Sequence, residues 1–107
     1  MKQITPPQLA DWLKDASRPA PFLLDVREPQ EFAYCAIPGS VPMPMASVPA
    51  RLNELPAGAE VVVICHHGGR SMQVAMFLER QGFGSVINLA GGVAQWARQV
   101  DPAMPQY

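Results

Sequence analysis

Short apolar runs, separated by proline and glycine, dominate the pattern of hydrophobic positions along this chain. Residues 22–26 and 60–65 form two such runs without polar alternation, which is typical of strands buried on both faces of a parallel sheet. Residues 86–89 form a third run. Residues 37–45 carry too many prolines for a central strand, so we expect a turn and a short extended piece there. The twelve prolines lie between the runs, which favours many short elements.

Between these runs, most segments have apolar residues at the spacing of an α-helix. Thr5 is placed to cap a helix that has proline in its first turn and a glutamine three residues after the cap. Ser47 is placed to cap another helix, with Pro49 in its first turn. Helices are predicted at residues 6–15, at residues 29–32, after Ser47, at residues 71–81 and at residues 93–100. Strands that alternate with helices predict an α/β fold with a mostly parallel sheet.

Composition narrows the class of protein. The 107 residues are 49% hydrophobic and carry a formal charge of −1, which predicts one domain spanning residues 1–107. Lysine and arginine are spread singly, so we expect neither a nucleic acid nor a membrane surface as a partner. No stretch reaches the roughly 18 apolar residues of a membrane span, and residues 1–6 lack the apolar run of a signal peptide. These absences predict a cytoplasmic protein.

The clearest strand runs into the heptapeptide Cys65-His66-His67-Gly68-Gly69-Arg70-Ser71, which precedes an apolar helix. Ligands bind beyond the carboxyl ends of strands in open α/β sheets, so a catalytic loop is expected here. A thiol at this point faces a helix N-terminus, whose dipole and unpaired N–H groups stabilise a thiolate. The glycines let successive N–H groups converge on one anion, and Arg70 adds positive charge. The alternative is a buried structural cysteine followed by a simple turn.

Other polar residues near these strand ends have structural and functional interpretations. His66 and His67 are expected to line the entrance to the thiol and to contribute partial positive charge. Metal binding is not favoured, because consecutive residues seldom ligate one ion. Asp25, Arg27 and Glu28 are expected to form ion pairs and caps at a strand end, and Arg27 is the one best placed to tune the site.

Three motifs, in this order, resemble the rhodanese family of sulfurtransferases over nearly the whole chain. They are Leu24-Asp25-Val26-Arg27-Glu28 with the turn Ile37-Pro38-Gly39-Ser40, the cysteine loop, and Asn88-Leu89-Ala90-Gly91-Gly92 with Trp96. The family commonly has Gly-His where this chain has Cys35-Ala36, so any role of that histidine is absent. Residues 100–107 also resemble rhodanese domains associated with activation of ubiquitin-like sulfur carriers. The resemblance implies a rhodanese-like domain with a five-stranded, mostly parallel sheet and helices on both faces.

The same resemblance implies a thiosulfate sulfurtransferase. Cys65 would attack thiosulfate or another sulfane donor and hold the sulfur as a persulfide until a thiol, cyanide or a sulfur-carrier protein accepts it. No cofactor or metal is implied. Cys35 as a resolving thiol is the less favoured interpretation, and a small packed residue in a turn is the favoured one. The residues expected to bind substrate are His66, His67, Gly68, Gly69, Arg70, Ser71 and Arg27.

Two other functions stay open on sequence grounds. A cysteine followed by a glycine-containing loop and Arg-Ser also describes small cysteine-dependent phosphatases, and a non-catalytic module that docks a sulfur-carrier protein would share the motifs. Four residues separate Cys65 from Arg70, one fewer than in those phosphatases. Because each residue adds about 3.5 Å of chain, the shorter loop predicts a cradle for one sulfur atom rather than for phosphate. An idle module would often have lost the cysteine, which is present here.

Overall fold

The computed structural model describes residues 1–107 and contains five strands and four α-helices. The strands are β1 (Lys2–Ile4), β2 (Phe22–Asp25), β3 (Val41–Pro42), β4 (Val61–Ile64) and β5 (Val86–Leu89). The α-helices are α1 (Pro6–Lys14), α2 (Pro29–Tyr34), α3 (Gly69–Arg80) and α4 (Gly92–Gln99), and a 3-10 helix covers Met45–Glu54. None of these helices combines the length and the apolar character that crossing a bilayer requires.

The five strands form one sheet in the order β1-β5-β4-β2-β3, and every neighbouring pair is parallel. The central strand β4 lies between β2 and β5, so that Val63 is opposite Leu24 on one side and Asn88 on the other. The carboxyl ends of these three strands therefore lie together at one edge of the sheet. Residues that follow β2, β4 and β5 in the sequence meet at this edge, as expected for the ligand-binding side of such a fold.

Alternate residues of β4 pack into two hydrophobic cores, one on each face of the sheet. Val62 and Ile64 belong to a core that includes residues of α1 and α4. Val61 and Val63 belong to the other, which includes residues of α3 and of the 3-10 helix. All four side chains have no exposed surface. This double burial explains the absence of polar alternation in the strand and confirms the prediction of helices on both faces.

Three details differ from the sequence-based expectations. The hydrophobic pattern does not reveal β1, because it is a short, largely exposed edge strand held by its pairing with β5. Ser47 is not a helix cap: the 3-10 helix begins two residues earlier, at Met45, and the Ser47 hydroxyl donates to the Pro44 carbonyl at 2.7 Å. Helix α3 begins at Gly69 rather than at Ser71, which places Arg70 inside its first turn.

Two consecutive glycines allow α4 to begin against the segment that follows β4. Gly91 and Gly92 have φ angles of +77° and +58°, a left-handed conformation that strains other residues. A Cβ atom at Gly92 would overlap the carbonyl oxygens of Cys65 and His66. Only glycine therefore permits this close approach of the α4 N-terminus to the chain that follows β4.

We expect Gly92→Ala to lower the free energy of unfolding by about 2 kcal/mol or more, because the added methyl group meets backbone and the positive φ is strained. Gly84→Ala is the matched control, since a Cβ there meets nothing within 4 Å and its φ is not positive. Urea unfolding of both variants measures the difference. Equal stability of the two variants would contradict the tight approach of α4.

Candidate active site

Cys65 follows the last residue of β4 and precedes the N-terminus of α3. Its side chain is buried, with only 1% of the residue exposed. The sulfur accepts a hydrogen bond from the Gly68 N–H at 3.0 Å, so the chain folds back around it within three residues. Gly68 has a φ of +107°, and this left-handed conformation makes the tight curl possible. The geometry brings the thiol and the helix N-terminus together as the sequence predicts.

Helix α4 orients the peptide groups that follow Cys65. The Val93 N–H donates to the Cys65 carbonyl at 2.9 Å, and the Ala94 N–H donates to the His66 carbonyl at 3.1 Å. In a trans peptide the N–H points opposite to the carbonyl, so the N–H groups of His66 and His67 face away from α4. The carbonyls of Cys65 and His66 thus point toward α4, and the N–H groups of the same two peptides point to the opposite side of the loop.

Backbone donors dominate the loop from His66 to Arg70. The N–H groups of His66, His67, Gly69 and Arg70 donate to no protein acceptor, while that of Gly68 donates to the sulfur. Gly69 and Arg70 occupy the first turn of α3, where unpaired N–H groups and the helix dipole favour negative charge. We call residues 66–70 the cradle. Its chemistry suits a small anion beside the Cys65 sulfur.

A buried polar chain lies beneath the sulfur. The Cys65 thiol donates to the Ser71 hydroxyl at 3.3 Å, and that hydroxyl donates to the Asn88 side-chain oxygen. The Asn88 amide nitrogen in turn donates to the Gly68 carbonyl at 3.3 Å and to the Gln3 side chain at 3.0 Å. Ser71 and Asn88 have 0% and 1% exposed surface. This series of hydrogen bonds connects the cradle to β5 and β1 and helps to position the Cys65 sulfur.

Arg27 is fully buried and lies beneath the surface rather than lining it. Its guanidinium makes an ion pair with Asp25 at 2.7 Å and donates to the Cys35 carbonyl at 2.7 Å and to the Tyr107 hydroxyl at 2.9 Å. Burial by itself would lower the pKa of Arg27, but the hydrogen bonds to Asp25 and Tyr107 outweigh it and raise that pKa. The expected ion pair with Asp25 is present. All three guanidinium nitrogens of Arg27 are hydrogen-bonded within the protein, so the side chain connects β2, the end of α2 and Tyr107.

Arg70 lies at the end of the cradle, but its charge is not free. Its two terminal nitrogens bind both carboxylate oxygens of Glu31, at 2.7 and 2.9 Å. This pairing lowers the pKa of Glu31 to about 2 and raises the pKa of Arg70. Sequence reasoning places the positive charge of Arg70 here but not its partner: α2 supplies a carboxylate that binds the guanidinium in a bidentate pair.

Tyr107 joins these two arginines. Its hydroxyl accepts from Arg27 and donates to Glu31, each at 2.9 Å, while its ring stacks on that of His66 with centroids 3.8 Å apart. Burial raises the pKa of the Tyr107 phenol to about 12. We call the connected side chains Arg27, Tyr107, Glu31 and Arg70 the polar bridge. It crosses from beneath the sheet edge to the end of the cradle.

The two histidines differ in their surroundings. His66 is stacked between His67 and Tyr107, and burial followed by the neighbouring His67 lowers its pKa. The lowered pKa reduces the positive charge that His66 carries near neutral pH. His67 is exposed beside it. No three His, Cys, Asp or Glu side chains converge as metal ligands would.

Cys35 is buried, with its sulfur 3.8 Å from an Arg27 nitrogen and its carbonyl bound to the same guanidinium. It ends α2 and packs in the core that contains residues of α1 and α4. These contacts agree with the interpretation of Cys35 as a small packed residue.

Four side chains in these networks are absent from the sequence-based list of site residues. Asn88 had a usable signal, since it is the single polar residue in the apolar run 86–89. Gln3 lies on β1, which the hydrophobic pattern does not reveal, and Tyr107 had no local pattern to distinguish it. In the sequence, Glu31 resembles any acidic residue in the first turn of a helix, here α2. Their roles depend on contacts between residues distant in sequence, which periodicity does not report.

Comparison with known proteins identifies relatives of this arrangement. The family model described as Rhodanese-like domain matches residues 5–99. A sulfurtransferase of Allochromatium vinosum is 43% identical over 77 residues, which cover 72% of each chain. The crystal structure of a rhodanese-like domain protein from Staphylococcus aureus superposes with a TM-score of 0.85 at 30% identity, covering 100% of this chain and 99% of that one.

Some relatives are much longer. The probable adenylyltransferase/sulfurtransferase MoeZ of Mycobacterium tuberculosis is 34% identical over 106 residues, and the match covers 97% of this chain but 26% of that protein. The present chain therefore spans about a quarter of that relative. The shared fold occurs both in short proteins and as one part of larger ones.

The Glu31–Arg70 pair predicts a pH-dependent contribution to stability. Because the pKa of Glu31 is lowered from 4.5 to about 2, the pair stabilises the folded state above pH 4.5 and this contribution is lost as the pH falls toward 2. Glu31→Gln should lower the free energy of unfolding by about 1 kcal/mol at neutral pH, with a smaller difference in acid. Urea unfolding across this pH range measures it. In an Arg70→Gln background most of the pH-dependent difference should disappear, and a difference independent of pH would contradict the pairing.

Proposed function

The chain belongs to the rhodanese-like domain family, and from this premise we propose that it is a sulfurtransferase that carries sulfane sulfur as a persulfide on Cys65. The observation that carries the proposal is the position of the Cys65 sulfur inside a cradle of backbone N–H groups at the N-terminus of α3. The sulfurtransferase from Allochromatium vinosum and the MoeZ protein, both named for this activity, support the reaction class.

The first half of the proposed cycle loads the sulfur. The Cys65 thiolate attacks the outer sulfur of a donor, and the bond between the outer and inner donor sulfurs breaks. With thiosulfate, the bonding electron pair leaves with sulfite. With an organic persulfide, it leaves with the thiolate of the donor. In both cases the outer sulfur stays bonded to Cys65.

The cradle supplies the stabilisation that this step needs. A persulfide on Cys65 carries negative charge on its terminal sulfur. The N–H groups of His66, His67, Gly69 and Arg70 have no protein acceptor, and they belong to the loop that curls around the Cys65 sulfur. Donors fixed by the fold stabilise such charge without reorganising. The Ser71 hydroxyl, 3.3 Å from the Cys65 sulfur, is placed to position the inner sulfur.

The second half returns the enzyme to its starting state. An acceptor such as a thiol or cyanide attacks the terminal sulfur, the sulfur–sulfur bond breaks, and the electron pair returns to Cys65 as a thiolate. Cyanide leaves as thiocyanate and a thiol leaves as a persulfide, so the cycle needs no external oxidant or reductant. A sulfur-carrier protein is a further candidate acceptor, as the name of the related putative sulfur carrier protein YrkF of Bacillus subtilis suggests.

Incubation with thiosulfate should add the mass of one sulfur atom to the intact protein, and cyanide should remove it. Cys65→Ser should abolish both the added mass and thiocyanate formation while leaving the melting temperature nearly unchanged, because oxygen fits the space but is a poor nucleophile here. Cys35→Ala is the matched control and should keep most activity. Retention of the adduct in Cys65→Ser would move the chemistry to another residue, and its absence in the wild type would favour an idle docking module.

The short loop predicts that the wild-type protein does not hydrolyse p-nitrophenyl phosphate above background. Four residues separate Cys65 from Arg70, and the Gly68 N–H already lies 3.0 Å from the sulfur, so we expect the cradle to fit one sulfur atom rather than a phosphoryl group. Release of p-nitrophenol measures the activity, with Cys65→Ser as the blank. Hydrolysis that depends on Cys65 would overturn the size argument and favour a phosphatase.

A further inference from the structure

The charge of Arg70 is fully committed within the protein. Both of its terminal nitrogens bind Glu31, and this bidentate geometry aligns the two planar groups. The side chain of Glu31 is 16% exposed and that of Arg70 is 36% exposed. A pair so largely withdrawn from water is screened less than one on the open surface. The guanidinium nearest the cradle is therefore neutralised by a fixed partner.

Glu31 is itself held in place by two further donors. The Tyr107 hydroxyl donates to one carboxylate oxygen at 2.9 Å, and the Glu28 N–H donates to the other at 3.0 Å. Tyr107 in turn is fixed by its bond from buried Arg27 and by its stacking on His66. The carboxylate cannot swing away from Arg70 without giving up these contacts as well. The pairing is thus built into the fold rather than left to a mobile surface side chain.

Other cations near the cradle do not replace Arg70. Arg27 is buried and paired with Asp25, and burial lowers the pKa of His66. Arg98 lines a small cavity with His66 and Tyr107, but neither Cys65 nor Arg70 takes part in that cavity. Beside the helix dipole, the backbone N–H groups and the exposed imidazole of His67, the cradle contains one guanidinium, that of Arg70, and it is paired with the carboxylate of Glu31.

We infer that Glu31 is a specificity-determining residue that disfavours the thiosulfate dianion and favours an organic persulfide, R–S–SH, as the sulfur donor. This inference rests on the proposed sulfurtransferase function. A dianion gains from an unpaired guanidinium and is repelled by a nearby carboxylate, whereas a persulfide brings at most the charge of the sulfur it transfers. By binding Arg70, Glu31 removes the attraction between the guanidinium and thiosulfate. Its own carboxylate also repels the dianion.

The test compares donors in Glu31→Gln, which keeps the size of the side chain and one of its two acceptor oxygens while removing the negative charge. The probes are thiosulfate and the persulfide of 2-mercaptoethanol, which has no other charged group. We expect kcat/KM for thiosulfate to rise by about tenfold, mainly through a lower KM, because one charge-assisted contact becomes available. The value for the persulfide should change less than about twofold, the scale of a surface charge change.

Two further variants separate this mechanism from a general change of charge. Glu28→Gln removes the same charge from the start of α2, and its side chain makes no contact with Arg70; it should leave the donor preference as it is in the wild type. The double variant Glu31→Gln/Arg70→Gln should lose the gain with thiosulfate, because the released guanidinium is then absent. An equal gain in Glu28→Gln, or a gain that survives in the double variant, would overturn the inference.

The outcomes also distinguish this inference from the function on which it rests. If both donors load Cys65 but Glu31→Gln does not improve thiosulfate use relative to the persulfide, the role of Glu31 is wrong and the sulfurtransferase function stands. If neither donor adds sulfur to Cys65 in the intact wild-type protein, the proposed function fails and the inference fails with it. Unchanged persulfide activity in Glu31→Gln serves as the check that the variant is folded.

Discussion

A fully buried guanidinium organises the carboxyl edge of the sheet. Arg27 has no exposed surface, and a charge in that position is tolerated only when it is paired and hydrogen-bonded. Its partners come from separate parts of the chain: Asp25 at the end of β2, the carbonyl of Cys35 after α2, and the hydroxyl of Tyr107. Satisfying one cation therefore fixes the end of α2 and the last residue of the chain relative to the sheet.

The polar bridge extends this requirement to the cradle. Tyr107 accepts from Arg27 and donates to Glu31, and Glu31 binds Arg70, so the charges of Asp25, Arg27, Glu31 and Arg70 balance along one connected path. A path with two cations and two anions has no net charge to offer a ligand. The attraction of the site for an anion then comes from the backbone N–H groups and the N-terminus of α3. Under the proposed function, the backbone donors bind the transferred sulfur and the polar bridge affects which donor molecule is used.

The sequence predicts the fold and the loop because both depend on local pattern. The β-branched run of β4 and the glycine-containing loop before an apolar helix follow from residues adjacent in the chain. The ion pair of Arg70 could not be predicted in this way, because Glu31 lies 39 residues away and meets it only when β2 and β4 pair. The stacking of His66 on Tyr107 is likewise a contact between residues distant in sequence. Contacts between residues distant in sequence determine which charged side chains are paired, and hydrophobic periodicity carries no information about such contacts.

The cradle and the polar bridge differ in what a substitution can change. The orientation of the cradle depends on main-chain bonds from Val93 and Ala94 to the Cys65 and His66 carbonyls, and on glycine at position 92. Replacing a loop side chain such as His67 leaves those bonds intact, because it alters no main-chain donor or acceptor. The Glu31–Arg70 end of the bridge, in contrast, consists of side-chain contacts that include none of those main-chain bonds. Under the proposed function, the choice of donor can therefore change by single substitutions in this pair while the backbone donors that stabilise the persulfide stay the same, because the two depend on different atoms.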